Sequence, residues 1–139
     1  HSDANSTEMN QNTPHPVINL MEEQKNITDK GGTMRLGAWK CQLKPHTKLI
    51  EIYGNKNITE RHRHRYEFNS DYLEDFEKNG LYASGINPDT KLVETLELKN
   101  HPFYIGVQYH PEYKSTVANP QPLFVDFVQA SLNKKYDNK

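Results

Sequence analysis

The run Phe103-Tyr104-Ile105-Gly106-Val107-Gln108-Tyr109-His110-Pro111-Glu112-Tyr113 constrains this chain more than any other stretch, because an apolar, aromatic and β-branched segment ends in a histidine and a glutamate. Residues of that kind suit a pleated, buried strand, and Pro111 has no backbone N–H to donate, so regular pairing stops there. Chemistry is thereby placed at a strand exit. Residues two apart in an extended chain project to one face, so the Glu112 carboxylate can reach one ring nitrogen of His110 and leave the other free. A base with its orienter is two thirds of a nucleophilic triad. Spacing alone leaves open a plain surface or core histidine. A metal site is disfavoured, since no third ligand lies at metal-site spacing and a structural zinc would want thiolates.

The missing third member is not Cys41, the single cysteine. A nucleophilic thiol sits on a sharp strand-to-helix elbow among small residues and backbone N–H donors, whereas Cys41 lies inside the continuous strand pattern Ala38-Trp39-Lys40-Cys41-Gln42-Leu43. Its reading is structural. One cysteine cannot form an internal disulfide, which agrees with a reducing compartment; with no signal peptide, a cytoplasmic location is expected despite sequons at Asn5, Asn26 and Asn57. The 139 residues fit one domain, and no apolar run is long enough for a membrane-spanning helix. A net charge of -1 with both signs interspersed points away from nucleic acid and membrane as partners. The hydrophobic fraction of 34% and mean hydropathy of -0.95 are low for a compact α/β domain, so part of the core is expected to be missing from this stretch.

Turn chemistry and periodicity divide the rest of the chain. Val17 to Met21 is apolar, a strand or one helical turn. Gly31-Gly32-Thr33-Met34-Arg35-Leu36-Gly37 reads as a glycine-rich loop entering a strand over Ala38 to Leu43, closed by Pro45. It matches neither the P-loop nor the dinucleotide fingerprint. Thr47 caps a short helix through Tyr53 that Gly54 ends. Arg61 to Phe68 reads as a strand, and Asn69-Ser70-Asp71 then caps a helix over Tyr72 to Lys78, with Tyr72, Leu73 and Phe76 on its apolar face and Gly80 at its end. Strands over Leu81 to Ile86 and Leu92 to Leu98 flank Asn87-Pro88-Asp89, a hairpin-type connection. Past the linker Asn119-Pro120-Gln121-Pro122, the spacing of Leu123, Phe124, Phe127, Val128 and Leu132 describes an amphipathic final helix.

Arg61-His62-Arg63-His64-Arg65-Tyr66-Glu67 alternates strictly, so in a strand the three arginines share one face and both histidines and Tyr66 share the other. A guanidinium matches a carboxylate bidentately, which makes the arginine row an anion or amino-acid carboxylate site. The plainer alternative is a solvated edge strand whose like charges discourage further pairing. A His62/His64 metal pair and a phosphate patch are further alternatives. Asn5-Ser6-Thr7-Glu8 reads locally as a cap followed by an acidic first-turn residue.

Taken together, Asn5 to Glu8, Gly31 to Gly37, Cys41-Gln42-Leu43, Glu60 to Glu67 and Gln108 to Glu112 resemble, in family order, the C-terminal part of the glutamine amidotransferase domain of the CTP synthase family. His-Pro-Glu after a strand is shared by the wider class I amidotransferases; Arg-His-Arg-His-Arg-Tyr-Glu selects CTP synthase. The resemblance covers roughly Asp3 to Leu132, and departs from the family at Tyr109 and Tyr113, where phenylalanine is usual. It implies a three-layer, flavodoxin-like α/β fold. It makes His110 the general base that activates a cysteine and then protonates the leaving ammonia, with Glu112 orienting the ring. It gives Arg65 the α-carboxylate of glutamine, Glu8 another part of the same substrate, taken as the α-ammonium, and Tyr66 a place in the pocket wall. Thr33 and Arg35 fall in a region linked in the family to activation by GTP.

The same resemblance places the nucleophile elbow before the segment that holds Glu8. Residues 1 to 139 are therefore expected to be the C-terminal portion of the amidotransferase domain, without the nucleophilic cysteine, the oxyanion glycines or the ATP- and UTP-binding synthetase domain. No cofactor is expected on this segment. Magnesium ATP, UTP and a GTP effector belong to the intact enzyme, a homotetramer by family habit, and the segment's own partners are glutamine and the rest of its polypeptide. Two alternatives stand beside this: another class I amidotransferase, such as a GMP synthase type, and a non-catalytic binding module on the same fold. A glycine-flanked cysteine elbow upstream of His1 separates catalysis from the binding module. The 139 residues alone are expected to be inactive in a glutaminase assay, and thiol-dependent turnover by the isolated chain overturns that expectation.

Overall fold

A computed structural model describes residues 1–20 and 34–137; Thr33, with Gly31, Gly32 and Met21, lies outside the described residues. Eight strands are described: β1 (Ala4–Ser6), β2 (His15–Leu20), β3 (Arg35–Leu43), β4 (Asn57–His64), β5 (Tyr66–Phe68), β6 (Leu81–Ile86), β7 (Val93–Leu98) and β8 (Ile105–Val107). They form two sheets, one of order β1-β2-β5 and one of order β4-β3-β6-β7-β8. The larger sheet is antiparallel throughout, and the β1–β2 pair is parallel. Helices α1 (Lys48–Tyr53), α2 (Leu73–Lys78) and α3 (Pro122–Asp137) complete a mixed α/β unit.

Local chemistry accounts for most element ends. The Thr47 hydroxyl accepts from the Ile50 amide at 3.3 Å, and Gly54, at φ 63°, closes α1 from the left-handed region that a residue without Cβ enters freely. The first turn of α1 is also capped from the sheet, because both Glu97 carboxylate oxygens accept at 2.9 Å from the Lys48 and Leu49 amides. Between β6 and β7, the Asn87 side chain accepts from the amides of Asp89 and Thr90, an Asx turn that replaces missing ladder bonds. Asn69 caps a 3-10 turn over Ser70–Tyr72, so α2 starts one residue later than Tyr72.

Three expectations change, and the final helix forms where expected with its apolar face open. The strand expected from Ala38 begins at Arg35, which places Arg35 in the ladder opposite His64 and not on a loop. The single strand expected over Arg61 to Phe68 starts earlier, at Asn57, and breaks at Arg65, so Tyr66 belongs to the other sheet and the third arginine leaves the row. Strand β8 is three residues long, because Phe103 and Tyr104 fall before its ladder. The stripe on α3 is exposed except at Leu123, with Phe124, Phe127, Val128 and Leu132 open among the described residues.

Two apolar clusters hold the elements together. One gathers Cys41, Leu43, Leu49, Ile58, Tyr109 and Leu123 and ties α1 and α3 to the large sheet. The other gathers Phe68, Ala83 and Val93 with Ile18, Leu73, Phe76 and Leu96, and so joins β2, β5 and α2 to β6 and β7. Cys41 is buried as expected of a structural residue, and desolvation, with Glu94 adding to it, pushes its thiol up to about 12.

Between these clusters lies a charged one. The Arg35 guanidinium forks onto both oxygens of Glu94 and, at 3.3 Å, onto Glu67, so a β3 residue grips β7 and β5 at once. Glu67 Oε1 lies 3.5 Å from His64 Nδ1, and His64 Nε2 lies 2.8 Å from His62 Nδ1. All five side chains are buried or nearly so. Desolvation raises the Glu67 carboxyl to about 7, against the pull of Arg35 and with the push of Glu94. Desolvation and then Arg35 lower His62 to about 3 and His64 to about 4.

Replacing Gly85 by alanine is expected to cost about 1–3 kcal/mol, read from the denaturant midpoint, because a Cβ there meets Cys41 Sγ and Thr95 Oγ1 at 2.6 Å and these buried side chains must shift to admit it. A second prediction concerns acid. Glu67, raised in the fold, supports stability fully below its ordinary value of 4.5 and withdraws that support as pH rises through 7. His62 and His64, lowered in the fold, support it fully above 6.5 and lose that support as pH falls through 4 and 3. The slopes oppose one another between pH 4.5 and 6.5. Glu67→Gln removes one of them, so the variant is expected to lose roughly 1–3 kcal/mol more than the parent on acidification across that window. Equal losses in urea titrations at the two ends would rule this out.

Candidate active site

The ladder of β8 ends at Val107, but the chain stays tied down. Gln108 N–H donates to Glu94 O at 2.9 Å, and two residues later His110 N–H donates to Arg61 O at 2.8 Å. The segment therefore crosses from β7 to β4 in three residues. Tyr109, between them, is buried with its hydroxyl 3.1 Å from that of Tyr53. Pro111 opens a 3-10 turn over Pro111–Lys114, where a residue without an N–H costs nothing. Lys114 Nζ donates to Thr59 O at 2.7 Å, so both ends of the turn are held to β4.

This turn brings Glu112 onto His110. Glu112 Oε1 lies 2.7 Å from His110 Nδ1, and Tyr113 stacks on the imidazole with centroids 5.1 Å apart. The pairing matches the expected one, while the backbone delivering it is a turn and not extended chain. Burial, slight here, pushes the Glu112 carboxyl up; the hydrogen bond from His110 outweighs it and holds the group below the ordinary carboxylate value. An ionised carboxylate can only accept, so Nδ1 carries the proton and Nε2 the lone pair. Nε2 is the basic nitrogen. The dyad is reachable, with side-chain exposures of 38% for His110 and 53% for Glu112.

The other candidates are distributed around β4 and the small sheet. Arg65 is half-buried at the crossing from β4 to β5, and Tyr66, also half-buried, opens β5 opposite Leu20. Glu8 is exposed in the turn after β1, where its amide donates to Ser6 Oγ at 3.1 Å. That turn is not the start of a helix. Arg35 is committed to the buried ion cluster, under Trp39 at 4.5 Å from the ring centroid, which gives it a structural part. His62 and His64 spend nitrogens on one another, at 2.8 Å. Glu94 and Glu60 carry no apolar signal, and a pattern search passes over them; both are nevertheless buried.

The family model described as glutamine amidotransferase class-I matches residues 8–130. Two curated relatives, each named CTP synthase, are 72% identical over 133 residues in Flavobacterium johnsoniae and 71% identical over 135 residues in Flavobacterium psychrophilum. These alignments cover 96% and 97% of the chain and 25% of each relative, so the chain spans about a quarter of the length of the curated relatives it matches. Among solved structures, the glutaminase domain of Trypanosoma brucei CTPS with bound acivicin superposes at a TM-score of 0.86 with 36% identity, over 95% of this chain and 52% of that one. With a strand-exit His110–Glu112 pair, this fold and these matches, the chain belongs to the class I glutamine amidotransferase family, where it is similar to the glutaminase domain of CTP synthases.

Proposed function

We propose that this chain supplies the base, its orienter and the substrate grip for glutamine hydrolysis in a CTP synthase, as the C-terminal portion of its amidotransferase domain. The nucleophilic thiol comes from polypeptide outside these residues. One observation carries the reading: His110 Nδ1 is spent on Glu112 at 2.7 Å, which leaves Nε2 as a lone pair of fixed direction.

Nε2 takes the thiol proton as sulfur attacks the glutamine side-chain carbonyl, and the imidazolium then gives that proton to the departing ammonia. Water, deprotonated by the same nitrogen, releases glutamate from the thioester. Glu112 stabilises the imidazolium while it exists. Arg65 serves as the fork for the α-carboxylate, Glu8 as a counter-charge for the α-ammonium, and Tyr66 as wall. The ammonia aminates UTP that ATP has activated, elsewhere in the enzyme, with GTP as effector.

In the protein that carries this chain, His110→Ala is expected to lower glutamine-driven CTP formation by about 10²–10⁴-fold, the usual range for a lost general base. Glu112→Gln is expected to cost less, because the ring stays in place as the base and loses the counter-charge of its imidazolium, while the amide oxygen can still accept from Nδ1. Synthesis from free ammonia, which bypasses the hydrolysis, reports that the rest of the enzyme is folded. Glutamine-driven turnover by His110→Ala at the parental rate overturns the reading.

A further inference from the structure

The break between β4 and β5 is closed by a side chain. His64 Nδ1 lies 3.1 Å from the carbonyl oxygen of Tyr66, so the ring spans Arg65 and ties the backbone on both sides of it. A carbonyl can only accept, and Glu67 Oε1, 3.5 Å from the same nitrogen, can accept as well. His64 Nδ1 therefore holds the proton. Its Nε2 is then an acceptor, and His62 Nδ1, 2.8 Å away, must donate to it. Hydrogen bonding runs one way, from His62 through His64 to the carbonyl after Arg65.

The other end of this chain of contacts meets the dyad. The His62 ring lies 6.0 Å from that of Tyr109, centroid to centroid, and the next residue is His110, whose amide donates to Arg61 O beside His62. Two imidazoles thus stand between the arginine at the end of β4 and the base docked on the same strand. His62 is fully enclosed, and its Nε2 makes no hydrogen bond among the described residues while facing Glu94 Oε2 at 3.8 Å. Burial and the Arg35 charge keep both rings in the uncharged form that the one-way bonding requires. Filling a core would not need that orientation; an apolar side chain would pack there at less cost.

We propose that His64, held by His62, is a positioning residue for glutamine: by bridging Arg65 it fixes where the carboxylate grip stands relative to the base at His110. This rests on the glutaminase reading above. It assigns the substrate's binding, and not the proton transfers, to His64. Misplacing a grip by about an ångström can cost as much as a hundredfold.

Two variants separate the two edges of the ring. An asparagine amide reproduces the donor at the Nδ1 position, and a glutamine amide reaches the Nε2 position. In the enzyme that carries this chain, His64→Gln loses the bond to Tyr66 and is expected to raise the KM for glutamine about tenfold with kcat little changed. His64→Asn restores that bond and is expected to bring KM back to within about threefold of the parent. Synthesis from free ammonia stays at the parental rate in both. An unchanged KM in His64→Gln overturns the proposal, and so does a parallel fall of glutamine-driven and ammonia-driven rates, which marks a merely structural role. Should His64→Gln fail to fold, His64→Asn decides: a near-parental KM supports the bridge and a tenfold rise overturns it. His110→Ala is assayed alongside. If it keeps glutamine turnover, the reading beneath the proposal fails and takes the proposal with it; if it is inactive and the His64 variants behave as the parent, the bridge alone fails.

Discussion

The Arg35 guanidinium, sunk between two glutamates, is the interaction on which this structure turns. It starts β3, faces Glu94 on β7 and Glu67 on β5, and so binds the five-stranded sheet to the three-stranded one through a single side chain. Arginine suits this place and lysine does not, because one planar fork can serve two carboxylates with separate N–H groups while its face lies against Trp39. One cation against two carboxylates leaves a negative excess in a dry site. That excess is reduced by retaining protons, which is why desolvation raises both Glu94 and Glu67 despite Arg35 beside them. Losing one partner from such a cluster strands the others, at a cost of about 3–5 kcal/mol by the behaviour of buried pairs. The histidines of β4 complete the arrangement as neutral groups against its edge.

Strand β4 measures out the candidate site. Its inward residues Ile58, Glu60 and His62 are buried, while its carbonyls at Thr59 and Arg61 take the two ends of the segment that carries the dyad. Buried Glu60 contributes from below, with one oxygen 3.4 Å from both Lys114 Nζ and Gln121 Nε2, and so links the 3-10 turn to the start of α3. The dyad itself is open to solvent, yet its backbone is fixed at both ends of a four-residue turn. Rigidity here comes from two carbonyls of β4, an edge strand of the larger sheet, one taken by the His110 amide and one by the Lys114 ammonium, and the His110 and Glu112 side chains stay accessible.

What could be read from sequence was whatever depends on near neighbours in the chain. Thr47 and Gly54 bounded α1, Asn87 marked the hairpin, and the two-residue spacing of His110 and Glu112 announced their pairing, since each of these is settled within a few residues. Long-range pairing decided the rest. Strict alternation over Arg61 to Glu67 suggested one strand, but nothing local tells a strand from two strands in different sheets, and past the break at Arg65 Glu67 meets Arg35 thirty-two residues away. Glu94 and Glu97 are three apart, so they fall on opposite faces of β7, and nothing local says that either is buried. They are buried because a guanidinium and a helix N-terminus meet them there. The α3 stripe was legible as amphipathic, though its partner surface was not, and its apolar residues stand open among the described residues.

Arg35 shows why a site motif and a structural motif are hard to separate in one dimension. Its neighbours Gly31 to Gly37 read as a loop, and loops carry function, so an arginine there invites a ligand. In three dimensions both of its terminal nitrogens are already taken by carboxylates, and the residue is 5% exposed. Its reach extends to β4, since burial and then its charge depress His62 and His64, and its partner in the ladder is His64. A buried cation one strand in from the sheet edge thus helps burial to keep the two rings of β4 neutral, and neutral rings are what the one-way bonding from His62 through His64 to the Tyr66 carbonyl requires.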